Sequence, residues 1–274
     1  MNSLLIVGFR EKDAGKTMVA QAILRYLKEQ NINVCGFKPK AGNSLWYDYD
    51  IVHEALSQGR LYGKDAKLLR KASETNFPEE IISPIHRLWI ETFPYPYINK
   101  LPTFLVDRIT VQENNMKHLI TVNKPLLNQN TECEKLLTKL FDNAEEIINI
   151  YSLGDLNKVV KKYYDEAIRL AYEKIQRNHE FVVVESYGNV ALPWDKIENL
   201  KIVLGVEPWF IRLYDPNRYL TTVKLTSQLR IDVEITTSQI QHLLKPVKEI
   251  KIVPSRSSEI VEDLKRNVGE LLEI

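Results

Sequence analysis

Leu4-Leu5-Ile6-Val7-Gly8-Phe9-Arg10-Glu11-Lys12-Asp13-Ala14-Gly15-Lys16-Thr17 is the stretch from which the rest of this chain is read. Four consecutive apolar residues predict a buried strand that ends at Val7. A loop follows, and a helix starts near Gly15. Val19, Ala22, Ile23, Tyr26 and Leu27 recur at helical spacing and give that helix one apolar face. The first backbone N–H groups of a helix have no internal partner and carry partial positive charge. The corner between strand and helix is therefore a place where an anion binds.

Gly15-Lys16-Thr17 closes the pattern G-x-x-x-x-G-K-[ST], in which the lysine reaches the β and γ phosphates of a nucleotide and the hydroxyl meets Mg²⁺. The first glycine of the pattern would fall at Arg10, and the nearest one is Gly8, two positions earlier. Either the loop is longer than usual, or Lys12 supplies charge in place of a glycine contact. The competing reading is an ordinary strand–loop–helix unit with a chance Gly-Lys-Thr. The candidate nucleotide-binding residues are Gly8, Lys12, Asp13, Ala14, Gly15, Lys16, Thr17 and Met18.

The chain has 274 residues, which fits one large α/β domain or a domain with an insertion. Its net charge of +1 gives no global field for nucleic acid or for a membrane surface. Two cysteines, Cys35 and Cys133, argue against a disulfide scaffold and suit a reducing cytoplasm. No signal peptide is expected after Met1-Asn2-Ser3, and no apolar stretch approaches membrane-spanning length.

Further along, Asn33-Val34-Cys35-Gly36-Phe37-Lys38-Pro39 reads as a short buried strand ending at a proline. Helices are expected over 51–56 and 66–72. Residues 78–110 are rich in proline and aromatics and predict extended loop. Val106–Val111 and His118–Val122 read as short strands, candidates for a hairpin. A helix is expected over 131–148, capped by Thr131 with Glu134 three residues on, and a longer one over 155–176. Phe181-Val182-Val183-Val184 and Lys201–Val206 are continuous β-branched runs, as in strands covered on both faces of a parallel sheet. Strands are also expected at 231–235 and 250–254, and a helix over 259–272. Strands alternating with helices predict an α/β fold: a doubly wound, mostly parallel sheet with helices on both faces. The segment from about 95 to 150 interrupts the alternation and reads as an insertion into a single domain of residues 1–274.

Mg²⁺ requires a hard oxygen ligand close to the phosphates, and in open α/β sheets such a ligand sits at the carboxyl end of a neighbouring strand. Glu185, which ends the Phe181–Val184 run, is the candidate. Asp48 and Asp50 are others, with a turn and a helix cap as their competing roles. The five histidines show no metal-ligand spacing, and no Ser-His-Asp arrangement can be read. Trp89 to Tyr97 reads as a proline-rich loop pinned by aromatics, or as a ligand or dimer contact. Arg10, Lys12, Lys38 and Lys40 form a local anion pocket.

These pieces in this order resemble dethiobiotin synthetase, of the P-loop NTPase group that also holds cobyrinic and cobyric acid synthases. The likeness rests on Val7-Gly8 through Gly15-Lys16-Thr17, on Gly36-Phe37-Lys38-Pro39, on Asp50 and on Val182-Val183-Val184-Glu185. It covers the first 70 residues and roughly 155–210. The resemblance implies ATP and Mg²⁺ as cofactors, with Thr17, Asp50 and Glu185 on the metal. It implies Lys16, Lys38 and Glu185 as catalytic residues, Lys38 facing a bound carbamate. It also implies a small-molecule substrate and a homodimer.

The chain departs from the family at Lys40-Ala41-Gly42-Asn43, where a serine is missing, and at Ser186-Tyr187, where the family has glycines. The family's base-reading Asn-Asp has no clear match, although Glu234-Ile235-Thr236-Thr237 or Pro254-Ser255 stand near its place. The nucleotide half of the pattern is kept, and dethiobiotin synthesis itself is not expected. Two functions and one structural role follow as expectations. One is an ATP-dependent, ligase-type phosphorylation of a carboxylate or carbamate. The other is a nucleotide-binding regulatory or sensor protein without turnover. A third is a structural dimer with a vestigial site.

Overall fold

A computed structural model describes residues 2–11, 14–91, 97–98, 101–229, 234–253, 255–256 and 259–272. The chain forms two compact units. The first comprises Met1–Pro39, Leu68–Asn76 and Ile175–Ile274; the second comprises Lys40–Lys67 and Phe77–Lys174. All described residues of the segment 95–150 belong to the second unit, together with residues on both sides of it.

The elements run in chain order as β1 (Asn2–Gly8), α1 (Lys16–Glu29), β2 (Val34–Phe37), β3 (Lys40–Ser44), α2 (Tyr49–Ser57), α3 (Lys64–Ser73), α4 (Glu79–Ile82) and β4 (Ile85–Trp89). There follow β5 (Tyr97–Ile98), β6 (Leu101–Pro102), β7 (Phe104–Gln112), β8 (Met116–Asn123), α5 (Lys124–Leu127), α6 (Thr131–Asp142) and β9 (Glu146–Ile150). A long helical segment comes next, formed by α7 (Leu153–Val159), a π turn (Val160–Tyr164) and α8 (Asp165–Asn178). The chain closes with β10 (Phe181–Glu185), β11 (Leu200–Glu207), β12 (Phe210–Tyr214), α9 (Pro216–Gln228), α10 (Thr237–Ile240), β13 (Lys248–Lys251) and α11 (Ile260–Leu271).

The first unit is built on a six-stranded sheet in the order β13-β12-β11-β1-β10-β2. β11, β1, β10 and β2 are parallel, and β12 and β13 continue the sheet antiparallel. β1 is central. Leu4, Leu5, Ile6 and Val7 are fully buried, as a strand covered on both faces must be. Val19, Ala22, Ile23 and Leu27 bury the apolar face of α1. α11 packs against α1: the Tyr26 ring lies over Gly269, and Arg25–Glu262 and Lys265–Glu29 ion pairs flank the contact. From β1 the chain passes to β2 on one side, while β11 lies on the other. The carboxyl ends of the parallel strands β1 and β10 lie side by side, Ile6 registering with Glu185.

The second unit carries a five-stranded mixed sheet in the order β3-β4-β7-β8-β9. Val52, Leu56, Leu88, Val106, Ile120 and Leu140 are among the residues of its apolar core. Arg87 makes a bidentate ion pair with the fully buried Asp107, 2.6 Å on each arm, and Tyr164 donates to the same carboxylate at 2.7 Å. Arg108 is almost entirely buried; its guanidinium donates to the carbonyls of Leu61, Ser83 and Pro84. This satisfies a charge that could not otherwise leave water.

Three expectations are corrected. Residues 78–110 contain regular structure: α4, β4 and most of β7. Pro78 caps α4 from outside, and Pro84 precedes β4, so neither proline interrupts a ladder. The helix expected over 131–148 stops at Asp142, and Glu146–Ile150 forms β9, parallel to β8. Its N-cap is Asn130 rather than Thr131. The strand expected at 231–235 falls partly on 231–233, outside the described residues, and Glu234 and Ile235 are not in a strand. Among the described residues no helix is long and apolar enough to cross a membrane.

Candidate functional site

Gly15 is the N-cap of α1 and adopts φ 89°, ψ 9°, a left-handed conformation that glycine enters without penalty. It turns the chain into α1, whose first-turn amides have no acceptor within the helix. Gly8 is the last residue of β1. A Cβ placed there would lie 2.9 Å from Lys16 Nζ, 3.1 Å from Ala14 Cβ and 3.1 Å from the Arg10 carbonyl oxygen. The glycine displaced from its usual place in the motif thus permits the loop to fold closely over the strand end. Six residues separate Gly8 from Gly15, against four in the usual pattern. Phe9 accommodates the extra length by turning inward. Its ring lies over Gly205 of β11 and meets Tyr214 edge-on at 5.9 Å between centroids.

Lys16 is 8% exposed, and its ammonium donates to the Gly188 carbonyl at 2.7 Å. Gly188, with φ 50°, belongs to the loop after β10. Ile6 of β1 registers with Glu185, the last residue of β10. Glu185 is fully buried. Its Oε1 accepts the Thr17 hydroxyl at 2.8 Å and the Lys38 ammonium at 2.8 Å. Lys38 follows the last residue of β2, which pairs with β10. Lys16, Thr17, Lys38 and Glu185 all belong to the first unit, at the carboxyl ends of adjacent parallel strands and the start of α1.

Two oxygens in adjacent positions of an octahedral magnesium shell lie about 3 Å apart when each is about 2.1 Å from the ion. Thr17 Oγ1 and Glu185 Oε1 stand at 2.8 Å, and both are hard oxygen donors, so the pair fits Mg²⁺. Among the described residues no group of three or more His, Cys, Asp or Glu side chains gathers as for a metal ion.

Lys12 and Asp13 lie outside the described residues, and Arg10 is exposed. Ala14 is buried behind the loop, and Met18 follows Thr17 in α1. Asp50 is in the first turn of α2, in the second unit, as is Lys40. Asp48 takes the structural role: its Oδ2 accepts the Ser44 amide at 2.8 Å. Trp89 ends β4, and residues 92–96 lie outside the described residues.

Two contacts were not expected from the sequence. Gly188 supplies the carbonyl for Lys16; the Tyr187-Gly188-Asn189 run was its one visible sign. Thr237, fully buried, donates its hydroxyl to the Gly8 carbonyl at 2.6 Å, and its amide donates to Asn189 at 2.7 Å. After Glu185, Ser186 is also buried, its hydroxyl held by the Val190 carbonyl at 2.6 Å.

The mixed α/β architecture, with parallel strands meeting a glycine-led helix, is compatible with a nucleotide-binding fold. Over 84 residues the chain is 33% identical to the ATP-dependent dethiobiotin synthetase BioD of Idiomarina loihiensis. The match takes in 31% of this chain and spans about a third (33%) of the length of that relative. This limited likeness points to a distant relation with an ATP-dependent enzyme. No protein-family model matches the chain.

Proposed function

We propose that the first unit binds ATP with Mg²⁺ where β1 meets α1 and transfers the γ-phosphoryl group to a small carboxylate or carbamate. The observation that carries this reading is the meeting of Thr17 and Lys38 on one buried oxygen of Glu185, beside a helix opened by left-handed Gly15. The stretch shared with an ATP-dependent enzyme supports it.

Each residue then has a task. The amides at the start of α1 receive phosphate oxygens. Lys16 leaves the Gly188 carbonyl and turns to the β and γ phosphates. Thr17 and Glu185 would hold Mg²⁺, which would supply positive charge to the phosphates. A carboxylate or carbamate that attacks this phosphorus brings one anion against another. Lys38 sets a positive charge between them, where it stabilises the transition state without exchanging a proton.

A second reading, a nucleotide-binding regulatory protein without turnover, draws on Ser186. Its side chain is buried and committed to Val190 where the resembled family has open glycines.

Calorimetric titration with ATP and Mg²⁺ tests the common part. The native protein releases heat on binding and Lys16→Ala releases little; equal heats for the two exclude nucleotide binding at this loop. A panel of small carboxylates and amines with bicarbonate then separates the readings. One member stimulates ATP hydrolysis if the protein is an enzyme, and a flat response favours the regulatory reading.

A further inference from the structure

Thr17 and Lys38 do not approach different oxygens of Glu185. Both contact Oε1 at 2.8 Å. One of these contacts pairs two oxygens that suit a divalent cation, and the other is a buried ion pair with side chains 6% and 0% exposed. An ammonium and a dication cannot both hold that oxygen at close range without strong mutual repulsion. A buried carboxylate, in turn, does not stay charged without a cation beside it.

Resting on the nucleotide reading above, we propose that Lys38 is a placeholder cation that exchanges with the metal. Without metal, its ammonium neutralises Glu185 and holds the carboxylate in place. When Thr17 and Glu185 take up a divalent cation, Lys38 would give up Oε1. Its ammonium then turns to a second anion, which an acidic substrate supplies. The consequence is an ordered site. Metal–nucleotide binding creates the locus for the second anion, and by reciprocity the second anion tightens the metal. A lysine suits this exchange because its charge sits on a flexible four-carbon stem. No bond is made or broken in the exchange; it is a change of ionic partner.

The test uses Mn²⁺ as a paramagnetic stand-in for Mg²⁺ and the non-hydrolysable nucleotide AMP-PNP, so no turnover is involved. Free Mn²⁺ is counted by electron paramagnetic resonance for the native protein and for Lys38→Met, each saturated with AMP-PNP. With its competitor removed, Lys38→Met binds Mn²⁺ about tenfold more tightly, an ordinary size for a coupling between two ligands. Equal or weaker Mn²⁺ binding overturns the exchange.

Because Lys38→Met leaves Glu185 buried without its partner and risks misfolding, a second measurement uses the unmutated chain. Lysines are reductively methylated in the presence of AMP-PNP, once with EDTA and once with Mg²⁺, and Lys16 and Lys38 are followed by peptide mass spectrometry. Lys38 is modified several-fold faster with Mg²⁺ if it is released. An unchanged or slower rate at Lys38, with Lys16 protected by the nucleotide, overturns the exchange and leaves the nucleotide reading standing. No protection of Lys16 by AMP-PNP and no metal effect on Lys38 overturns both.

Discussion

Lys38 Nζ and Glu185 Oε1 lie 2.8 Å apart, and neither side chain is more than 6% exposed. The pair joins the end of β2 to the end of β10 in the first unit. Breaking a buried pair by removing one partner typically costs about 3–5 kcal/mol, because the other charge stays behind without compensation. Lys38→Ala is accordingly expected to lower the unfolding free energy by about 3 kcal/mol. The nucleotide reading adds a functional expectation. Metal-free ATP affinity stays within a few-fold of native, and substrate-stimulated hydrolysis is lost. Denaturant melts and calorimetry on the same variant check both. If ATP binding collapses while the fold survives, Lys38 is a phosphate ligand and its assigned role is wrong.

Gly205 of β11 makes room for Phe9. A Cβ at this position would sit 2.1 Å from Phe9 Cε2 and 2.9 Å from a Tyr214 ring carbon. The Phe9 ring cannot simply swing away, since Tyr214 packs on its edge and the Phe9 amide is held by the Val206 carbonyl at 2.9 Å. Overpacking of this kind costs about 1–3 kcal/mol. Gly205→Ala is expected to destabilise by that amount and, by pushing Phe9, to displace the loop that leads to Gly15. Thermal melts of Gly205→Ala and of the double variant Gly205→Ala/Phe9→Ala measure it. The second substitution should recover part of the loss, and additive losses would show that the clash is not the cause.

His118 gives a pH dependence in the second unit. Burial holds its imidazolium form down, Arg108 nearby adds to the effect, and its pKa falls to about 4 from an ordinary 6.5. Its Nδ1 is 3.1 Å from the Thr110 hydroxyl. The unfolded chain takes up a proton at this ring near pH 6.5, whereas the folded chain resists until about pH 4. Between these values the unfolded state binds more protons, so stability rises with pH. The contribution is fully present above pH 6.5 and is lost as pH falls to about 4, an effect of at most about 3 kcal/mol. The native protein should therefore lose stability across this window more steeply than His118→Gln. Parallel pH profiles for the two proteins, or an imidazole resonance titrating near its ordinary value, would refute it.

Parts of this architecture are written openly in the sequence. Phe181–Val184 and Ile202–Val206 are continuous apolar runs because parallel strands are covered on both faces, and Glu185 stands out as the carboxylate that ends one of them. Gly15, Lys16 and Thr17 could be read because they are contiguous and open a helix whose apolar face is evident. Other parts are concealed for physical reasons. Leu137, Leu140, Phe141, Ala144 and Ile148 keep helical spacing across the end of α6, so the pattern runs unbroken through the turn at Asn143 into β9. β3 is polar and contains Gly42, and it is held by backbone pairing with β4, which leaves no side-chain signature. The hairpin from β11 to β12 turns at Trp209 with φ 78°, a conformation ordinarily announced by glycine or asparagine. The polar contacts of Gly188 and Thr237 join residues far apart in the chain, and no local pattern encodes them.

Thr237 offers the sharpest test of how the site is held. Its hydroxyl donates to the Gly8 carbonyl at 2.6 Å across 229 positions of sequence, while its amide is anchored on the Asn189 carbonyl. One residue thus ties the end of β1 to the loop that also carries Gly188, the acceptor of Lys16. Thr237→Val keeps the shape and removes the donor, leaving a buried carbonyl without this partner, at a cost of about 1–3 kcal/mol. Thr237→Ser retains the hydroxyl and should stay close to native in stability. A merely structural contact would lower the melting temperature of Thr237→Val and leave ligand affinity unchanged in the folded fraction. A contact that positions the loop lowers both, because Gly8 must stay flush against Lys16 for the first turn of α1 to face the phosphates. Calorimetric ATP affinities for the valine and serine variants, measured well below their melting temperatures, decide between the two: weakened binding for valine with recovery for serine is expected, and equal affinities would reduce Thr237 to a strut.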